Sequence, residues 1–280
     1  WDVKIEGENA DESPYVVMTA KLIEAFPRRG GTFQIEPDAS SGSYFWAAGS
    51  IGPKSPETLE FSETFQMEVS THTFSRVSVA HWPQSGWQID ERFDVQWYRG
   101  GTFQDLMRSI KQGQTPDIRA ATKIVEDSGI APTLSRKTDL GDSIMTAIVI
   151  SPLIICGSET FHFTDLGRLR VQECERVVAL RTELTRCGAK VIEAGDTLTV
   201  YPSQLHGAEI ETYNDHRMAM CFAILGLKVP GIKIKNPACV KKTFPNFFQK
   251  LAAPPPGGLG VTIRDGTTGR ELKMDELFAE

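Results

Sequence analysis

Long apolar runs are missing: no stretch of the 280 residues approaches the roughly 20 that a membrane span needs. No membrane partner is expected. A basic excess is missing too, since 30 Lys and Arg stand against 36 Asp and Glu, for a formal net charge of -6. Proteins that live on phosphate backbones carry the opposite sign, so nucleic acid is excluded as a partner. Any anionic ligand must then be met by a local cationic cluster and not by the field of the whole molecule. Cysteine is scarce: Cys156, Cys174, Cys187, Cys221 and Cys239 are odd in number and mostly set in apolar segments. That pattern points to reduced thiols and not to disulfides. No C-x-x-C or H-x-x-x-H spacing occurs, which argues against a zinc site. The opening residues WDVKIEGENADE lack the charged and oily regions of a signal peptide, so the chain reads as cytoplasmic. An initiator Met is absent as well. WDVKIEG reads as the middle of a strand, which suggests a piece of something longer, with trimming or processing as the alternative.

What is present is ordinary for a folded chain: 40% hydrophobic and 24% charged residues, over a length that predicts two domains. Ser13 and Pro14 precede apolar residues at helical spacing and predict a helix over 13–26. GTFQIEP (31–37) alternates like a strand, and DASSGSYFWAAGSI (38–51) has the composition of a strand-to-helix turn. Residues 57–81 read as two or three strands and 82–93 as a turn at a domain boundary. A helix is expected around 118–128, between loop-like segments at 111–117 and 130–142. Beyond Asp142 the pattern is regular. DSIMTAIVISPLI is an oily helix closed by Ser151 and Pro152, and ETFHF is a strand. VQECERVVALRTELTRCG is a helix with Val171, Cys174, Val178, Leu184 and Cys187 inward and Gly188 as its stop. AKVIEAGDTLTVYP is a hairpin turning at Gly195 and Asp196. AEIET is a short strand, HRMAMCFAIL a helix, GIKIKN a strand, and TFPNFFQKLA a helix capped by Thr243. The Pro- and Gly-rich stretch that follows is a linker to a small hairpin or tail. The class is α/β.

Three segments place cations at or before a helix start. Asp215, His216 and Arg217 open the helix after YN. Asp215 serves as a cap on the bland reading, but a fixed positive charge in the first turn opposes the helix dipole. Arg217 is better explained by an anion in front of the helix. In GRLRVQECER, Glu173 and Arg176 share one helical face, either as a surface pair worth well under about 1 kcal/mol or as part of a site. Lys241 and Lys242 precede the helix near Thr243. Together the three describe a funnel for a multiply anionic small molecule.

YNDHRMAMCF, KTFPNFF, RVQECERV and EPDASSGSYFWAAG resemble the signature segments of the 5-enolpyruvylshikimate-3-phosphate synthases and occur along the chain in the order they take in that family. LGDSIMTAIVISPL resembles the segment carrying that family's essential Asp. The likeness is strong over 140–252, good over 1–50 and poor between. It implies an enolpyruvyl transferase-like two-lobe fold built of βαβαββ pseudo-repeats, with one lobe incomplete. Residues 1–90 would be the remainder of the upper lobe, 91–252 the lower lobe and 253–280 a linker and tail. The implied reaction moves the enolpyruvyl group of phosphoenolpyruvate to the 5-hydroxyl of shikimate 3-phosphate and releases phosphate. No metal or organic cofactor is implied, and the partners are small anionic substrates plus a complementing N-terminal segment. By resemblance, Ser41 and Tyr44 bind the shikimate phosphate, Asp142 holds the shikimate hydroxyls and takes the 5-hydroxyl proton, and Glu173 helps protonate the methylene carbon. Arg176, Arg217 and Lys242 clamp phosphoenolpyruvate, with His216 close by. Two substitutions depart from the pattern: Arg168, followed by Leu169, stands where the family has Asn before an aromatic, and Gln172 stands where it has Lys, an amide being neither acid nor base at neutral pH. The family's Lys-Ser pair, its GNAGT segment and its Ser-Ser-Gln triplet are also not found. A non-catalytic ligand-binding relic is the alternative that Gln172 favours. A UDP-N-acetylglucosamine enolpyruvyl transferase would need a reactive Cys in a mobile loop, for which only Cys239 qualifies.

Overall fold

The computed structural model describes residues 13–51, 77–93, 133–153 and 160–280. The strands expected over 57–81 lie mostly outside the described residues, and the helix expected over 118–128 lies wholly outside them. Six helices are described: α1 (Ser13–Ala25), α2 (Ala39–Ile51), α3 (Ile144–Ile150), α4 (Arg176–Arg186), α5 (His216–Gly226) and α6 (Phe247–Ala252). Four strands make one sheet: β1 (Thr133–Ser135), β2 (Phe161–Thr164), β3 (Val191–Ala194) and β4 (Thr197–Val200). Their order is β1-β2-β4-β3, with β1 parallel to β2 and the other pairs antiparallel. β5 (Glu209–Ile210) and β6 (Lys233–Ile234) form a second, parallel pair. The fold is therefore mixed α/β. Among the described residues no helix is long and apolar enough to cross a membrane.

Core helices α2, α3 and α5 pack on one another. All seven residues of α3 are buried, which is why its sequence is oily all round and not amphipathic. Small residues on α2, among them Ala39, Ser40, Ser43, Ala47 and Ala48, let it sit close to its neighbours. A polar thread crosses this core: Ser43 Oγ lies 3.0 Å from Thr146 Oγ1, which lies 3.6 Å from Cys221 Sγ. Hydroxyls placed so deep are tolerated because they satisfy one another. One contiguous apolar cluster runs from Tyr44 and Phe93 through α3 and α5 to Phe247, and takes in Leu277 and Ala279.

The hairpin of β3 and β4 turns at Gly195 and Asp196, as its sequence predicts. Gly188 ends α4 with φ of +92°, a left-handed conformation that favours glycine. Four local readings need correction. GTFQIEP forms no strand, and Ile35 in it is exposed, because alternation without a partner edge does not make a sheet. Residues 167–171 are a 3-10 turn, so α4 begins only at Arg176, and Val171 is left 67% exposed. Val178, read as inward, is also exposed, and its backbone N–H instead meets the Glu175 cap. Finally, α6 starts after Asn246, because Thr243 closes the 3-10 turn Pro237–Lys242. The tail returns to the body of the protein: Ala279 N donates to Pro245 O at 2.9 Å, and Arg264 bridges to Glu271.

Candidate active site

Before α5 the chain turns sharply. Tyr213 and Asn214 both adopt left-handed φ, 53° and 56°, conformations that non-glycine residues rarely hold. That turn puts Asp215 at the N-cap. Its Oδ1 accepts the Arg217 N–H at 2.8 Å, satisfying one of the orphan donors of the helix start. Its Oδ2 accepts Arg176 Nε at 2.6 Å, and Arg176 Nη2 lies 3.3 Å from Oδ1. The pair is wholly interior, Arg176 1% and Asp215 0% exposed. One carboxylate thus caps α5 and fixes the first residue of α4.

Around Asp142, just before α3, three guanidinium groups gather. Arg136 Nη2 donates to Oδ1 at 2.9 Å, while Arg217 Nε and Arg176 Nη1 lie 3.5 and 3.7 Å from Oδ2. Burial pushes the Asp142 carboxyl up, but the charges of Arg217, Arg136 and Arg176 together outweigh it and hold the group below its ordinary range. Glu173 bridges the rest of the cluster. Its Oε2 accepts from Arg176 Nη2 at 2.6 Å and its Oε1 from Lys242 Nζ at 2.5 Å. Burial again works upward, yet the Lys242 hydrogen bond and the Arg176 charge bring its pKa down to about 2. Gln172 Oε1 accepts from Arg176 Nη1 at 2.5 Å.

Contacts from α2 complete the arrangement. Arg217 Nη2 donates to Ser40 Oγ at 3.2 Å. Ser41 Oγ instead donates to Asp38 Oδ2 at 2.5 Å, on the exposed side of the helix start. Tyr44 is buried edge-on against Phe247, and its hydroxyl has no hydrogen-bond partner. Burial pushes that phenol well above its ordinary value, with Arg217 the strongest charge opposing the shift. His216 Nδ1 is likewise buried without a hydrogen bond, 3.9 Å from Asp215 Oδ1. Burial and then the Arg217 charge lower its pKa to about 4, so the ring is neutral at pH 7.

Arg176, Arg217 and Lys242 therefore meet, through Asp142 and Glu173, although they come from three separate elements. Ser41 is not joined to that cluster by a hydrogen bond; Ser40 is. Two neighbours were not legible beforehand. Arg136 sits six residues before Asp142 in SRKTDLGD, and that spacing across a turn was its only signal. Asp90, fully buried, accepts the Ser143 N–H at 2.9 Å, and burial raises its pKa. Gly141 allows this approach: a Cβ there would fall 2.6 Å from Asp90 Oδ2 and 2.7 Å from the Tyr15 hydroxyl. Four cations, Arg136, Arg176, Arg217 and Lys242, thus stand among four carboxylates, Asp142, Glu173, Asp215 and Asp90. In a chain of net charge -6 this concentrates cations in one place. The longer contacts of Arg176 and Arg217 to Asp142 are the ones an incoming anion could replace with bidentate pairs.

The family model described as EPSP synthase (3-phosphoshikimate 1-carboxyvinyltransferase) matches residues 100–251, more than half of the chain. The chain belongs to the EPSP synthase family. Curated relatives of that name include proteins from Nostoc punctiforme, 34% identical over 219 residues, and Trichormus variabilis, 30% identical over 267. The first match covers 78% of this chain and 43% of the relative, the second 89% and 54%. The chain thus spans about half the length of the EPSP synthases it matches. A solved EPSP synthase from Acinetobacter baumannii shares 26% identity over 41% of this chain and 27% of that one, with a TM-score of 0.37. Cys239 is buried, which raises its pKa and leaves it a poor nucleophile.

Proposed function

We propose that this chain carries one share of an enolpyruvyl transfer site, from the remainder of the upper lobe and the lower lobe, acting on phosphoenolpyruvate and shikimate 3-phosphate. The observation that carries the reading is the meeting of Arg176, Arg217 and Lys242 around Asp142 and Glu173. In this reading the three cations take the carboxylate and phosphate of phosphoenolpyruvate. Their present partners then lose counter-charges, and the pKa values of Asp142 and Glu173 rise toward the range where proton transfer is useful. Asp142 accepts the proton of the shikimate hydroxyl as its oxygen bonds to C2 of phosphoenolpyruvate. Glu173, protonated once Arg176 and Lys242 turn to the substrate, helps deliver a proton to C3, turning the methylene into a methyl group. Phosphate then departs with the C–O electron pair as a C3 proton returns to Glu173, which restores the double bond. The proton taken by Asp142 leaves with the phosphate or to solvent. Negative charge that builds during addition is met by guanidinium groups already in place. Tyr44 and the α2 serines offer hydroxyls to the second phosphate, and neutral His216 stands beside Arg217.

Calorimetry with phosphoenolpyruvate tests the anion site. Weak binding is expected, and Arg217→Met should reduce it by about tenfold or more, the scale of one charge-assisted pair. Affinity indifferent to both Arg217→Met and Lys242→Met would overturn the assignment. The ligand-binding relic remains the second reading because Gln172, hydrogen-bonded to Arg176, brings no titratable group where the family has Lys.

A further inference from the structure

Of the three guanidinium groups on Asp142, one differs from the others. Arg176 and Arg217 stand at helix starts and lie 3.7 and 3.5 Å from Oδ2, too far for a good hydrogen bond, and Arg176 spends its donors on Asp215, Glu173 and Gln172 instead. Arg136 makes a full 2.9 Å hydrogen bond, and to the other oxygen, Oδ1. Its backbone is fixed: Arg136 N donates to Thr164 O at 3.0 Å, extending the pairing of β1 with β2 by one residue. The following turn is tied back, as Lys137 N and Thr138 N both donate to Ser135 Oγ and Asp139 N donates to Ser135 O. The guanidinium is 2% exposed, lies 6.0 Å from the centre of the Tyr15 ring, and its buried Nε has no hydrogen-bond partner.

We propose that Arg136 is a positioning residue for Asp142: by holding Oδ1 from the sheet side, it turns Oδ2 toward Arg176 and Arg217 and keeps it there when an anion draws those two away. The inference rests on the function proposed above for what the anion is, but not for what Arg136 does to Asp142. The charged and titratable groups acting on Asp142 are Arg136 after β1, Arg176 on α4, Arg217 on α5, Asp90 from the 3-10 turn Ile89–Arg92, and Tyr15 on α1. Two of the three cations are those that a substrate would engage. With both engaged, Arg136 is the remaining counter-charge against burial and against Asp90. A base must be unprotonated before it can accept a proton, and Arg136 keeps Asp142 so at neutral pH while the other two are occupied. This also gives a chain with Gln172 one fixed cation beside the site that does not depend on the missing Lys.

The test is the titration of Asp142 in the 280-residue chain, read by carboxyl carbon NMR. In the unaltered protein Asp142 should titrate below the ordinary aspartate range. Arg136→Met should raise its proton affinity about tenfold or more, one pKa unit, while Arg136→Lys should restore most of the native value. A residue needed only for packing would lower stability in both variants and leave the titration of Asp142 in place. An unchanged titration in folded Arg136→Met overturns the proposal. Should that variant not fold, the unaltered chain decides. Sulfate, which does not titrate near neutrality, is bound at pH 7. The Asp142 carboxyl carbon should keep the signal of a carboxylate when sulfate is bound, and its protonation overturns the role of Arg136, whereas uptake at Glu173 is read at its own signal. If sulfate does not bind at all, the anion site itself fails, and the titration of Arg136→Lys against the unaltered chain still decides the role of Arg136: the two close together support it, and a rise of a unit or more overturns it.

Discussion

His216 is the side chain whose environment has the plainest consequence. Its folded pKa of about 4 lies below the ordinary 6.5, so between those values the unfolded chain binds the proton more readily than the folded one. Stability contributed by the neutral ring is therefore present above about pH 6.5 and lost as the solution is acidified toward 4. Glu173 adds a second loss further down, from its ordinary 4.5 toward 2, as the carboxylate leaves Lys242 and Arg176. Asp90, held above its ordinary value by burial, works in the opposite sense, so the comparison must be a difference. Urea unfolding of the native chain and His216→Gln at pH 7 and pH 4.5 should show the native protein losing more of its stability, and parallel losses would refute the account. At this scale the sequence was half legible. Arg217 betrayed itself because a cation at a helix start opposes the dipole. Arg136 and Asp90 gave no such sign, since their partners are set by the close approach of three elements and not by local spacing.

Among the elements, α4 and α5 share a single joint. Asp215 caps α5 through the Arg217 N–H and holds the buried Arg176 that opens α4. Asp215→Ala should cost about 1.5–3 kcal/mol, the scale of a hydrogen bond to a charged group, because the buried Arg176 loses one partner and keeps Glu173 and Gln172, and losing the cap adds about 1 kcal/mol. Asp215→Asn, which keeps an acceptor for the cap, should cost less than Asp215→Ala. Chemical unfolding measures both, and a loss under about 1 kcal/mol for the Ala variant would reduce Asp215 to an ordinary cap. The helices and the hairpin were readable because Asp, Gly and apolar periodicity act locally. The start of α4 was not, since Arg170 pulls the preceding turn onto Glu193, Glu175 and Asp196, a tertiary network that overrides the helical pattern of VQECER. The strand predicted over 31–37 failed for a related reason. There Glu36 accepts from Ser85 N and Ser85 Oγ, so the segment is tied by a side chain to a loop and not by its backbone to a sheet.

For the molecule as a whole, the proposed site is one share of a larger one. Mixing the chain with the N-terminal half of a relative such as the Nostoc punctiforme protein should produce phosphate release from shikimate 3-phosphate and phosphoenolpyruvate. Gln172→Lys should raise it by about a hundredfold, the usual effect of one acid–base group. Silence from both mixtures would favour the ligand-binding relic. The family was legible from five short segments, and the packing of α2 against α3 and α5 was not, because it joins residues some hundred positions apart. That packing leaves Trp46 and Trp82 edge to face, their rings 5.8 Å apart, with the Trp82 indole N–H bonded to Glu91 O beside Asp90. Trp46 thus sits on the helix whose first turn touches Arg217, and Trp82 is bonded to the turn whose Asp90 holds the Ser143 N–H next to Asp142. Their emission gives the chain an optical signal for the arrival of a guest, with no label attached.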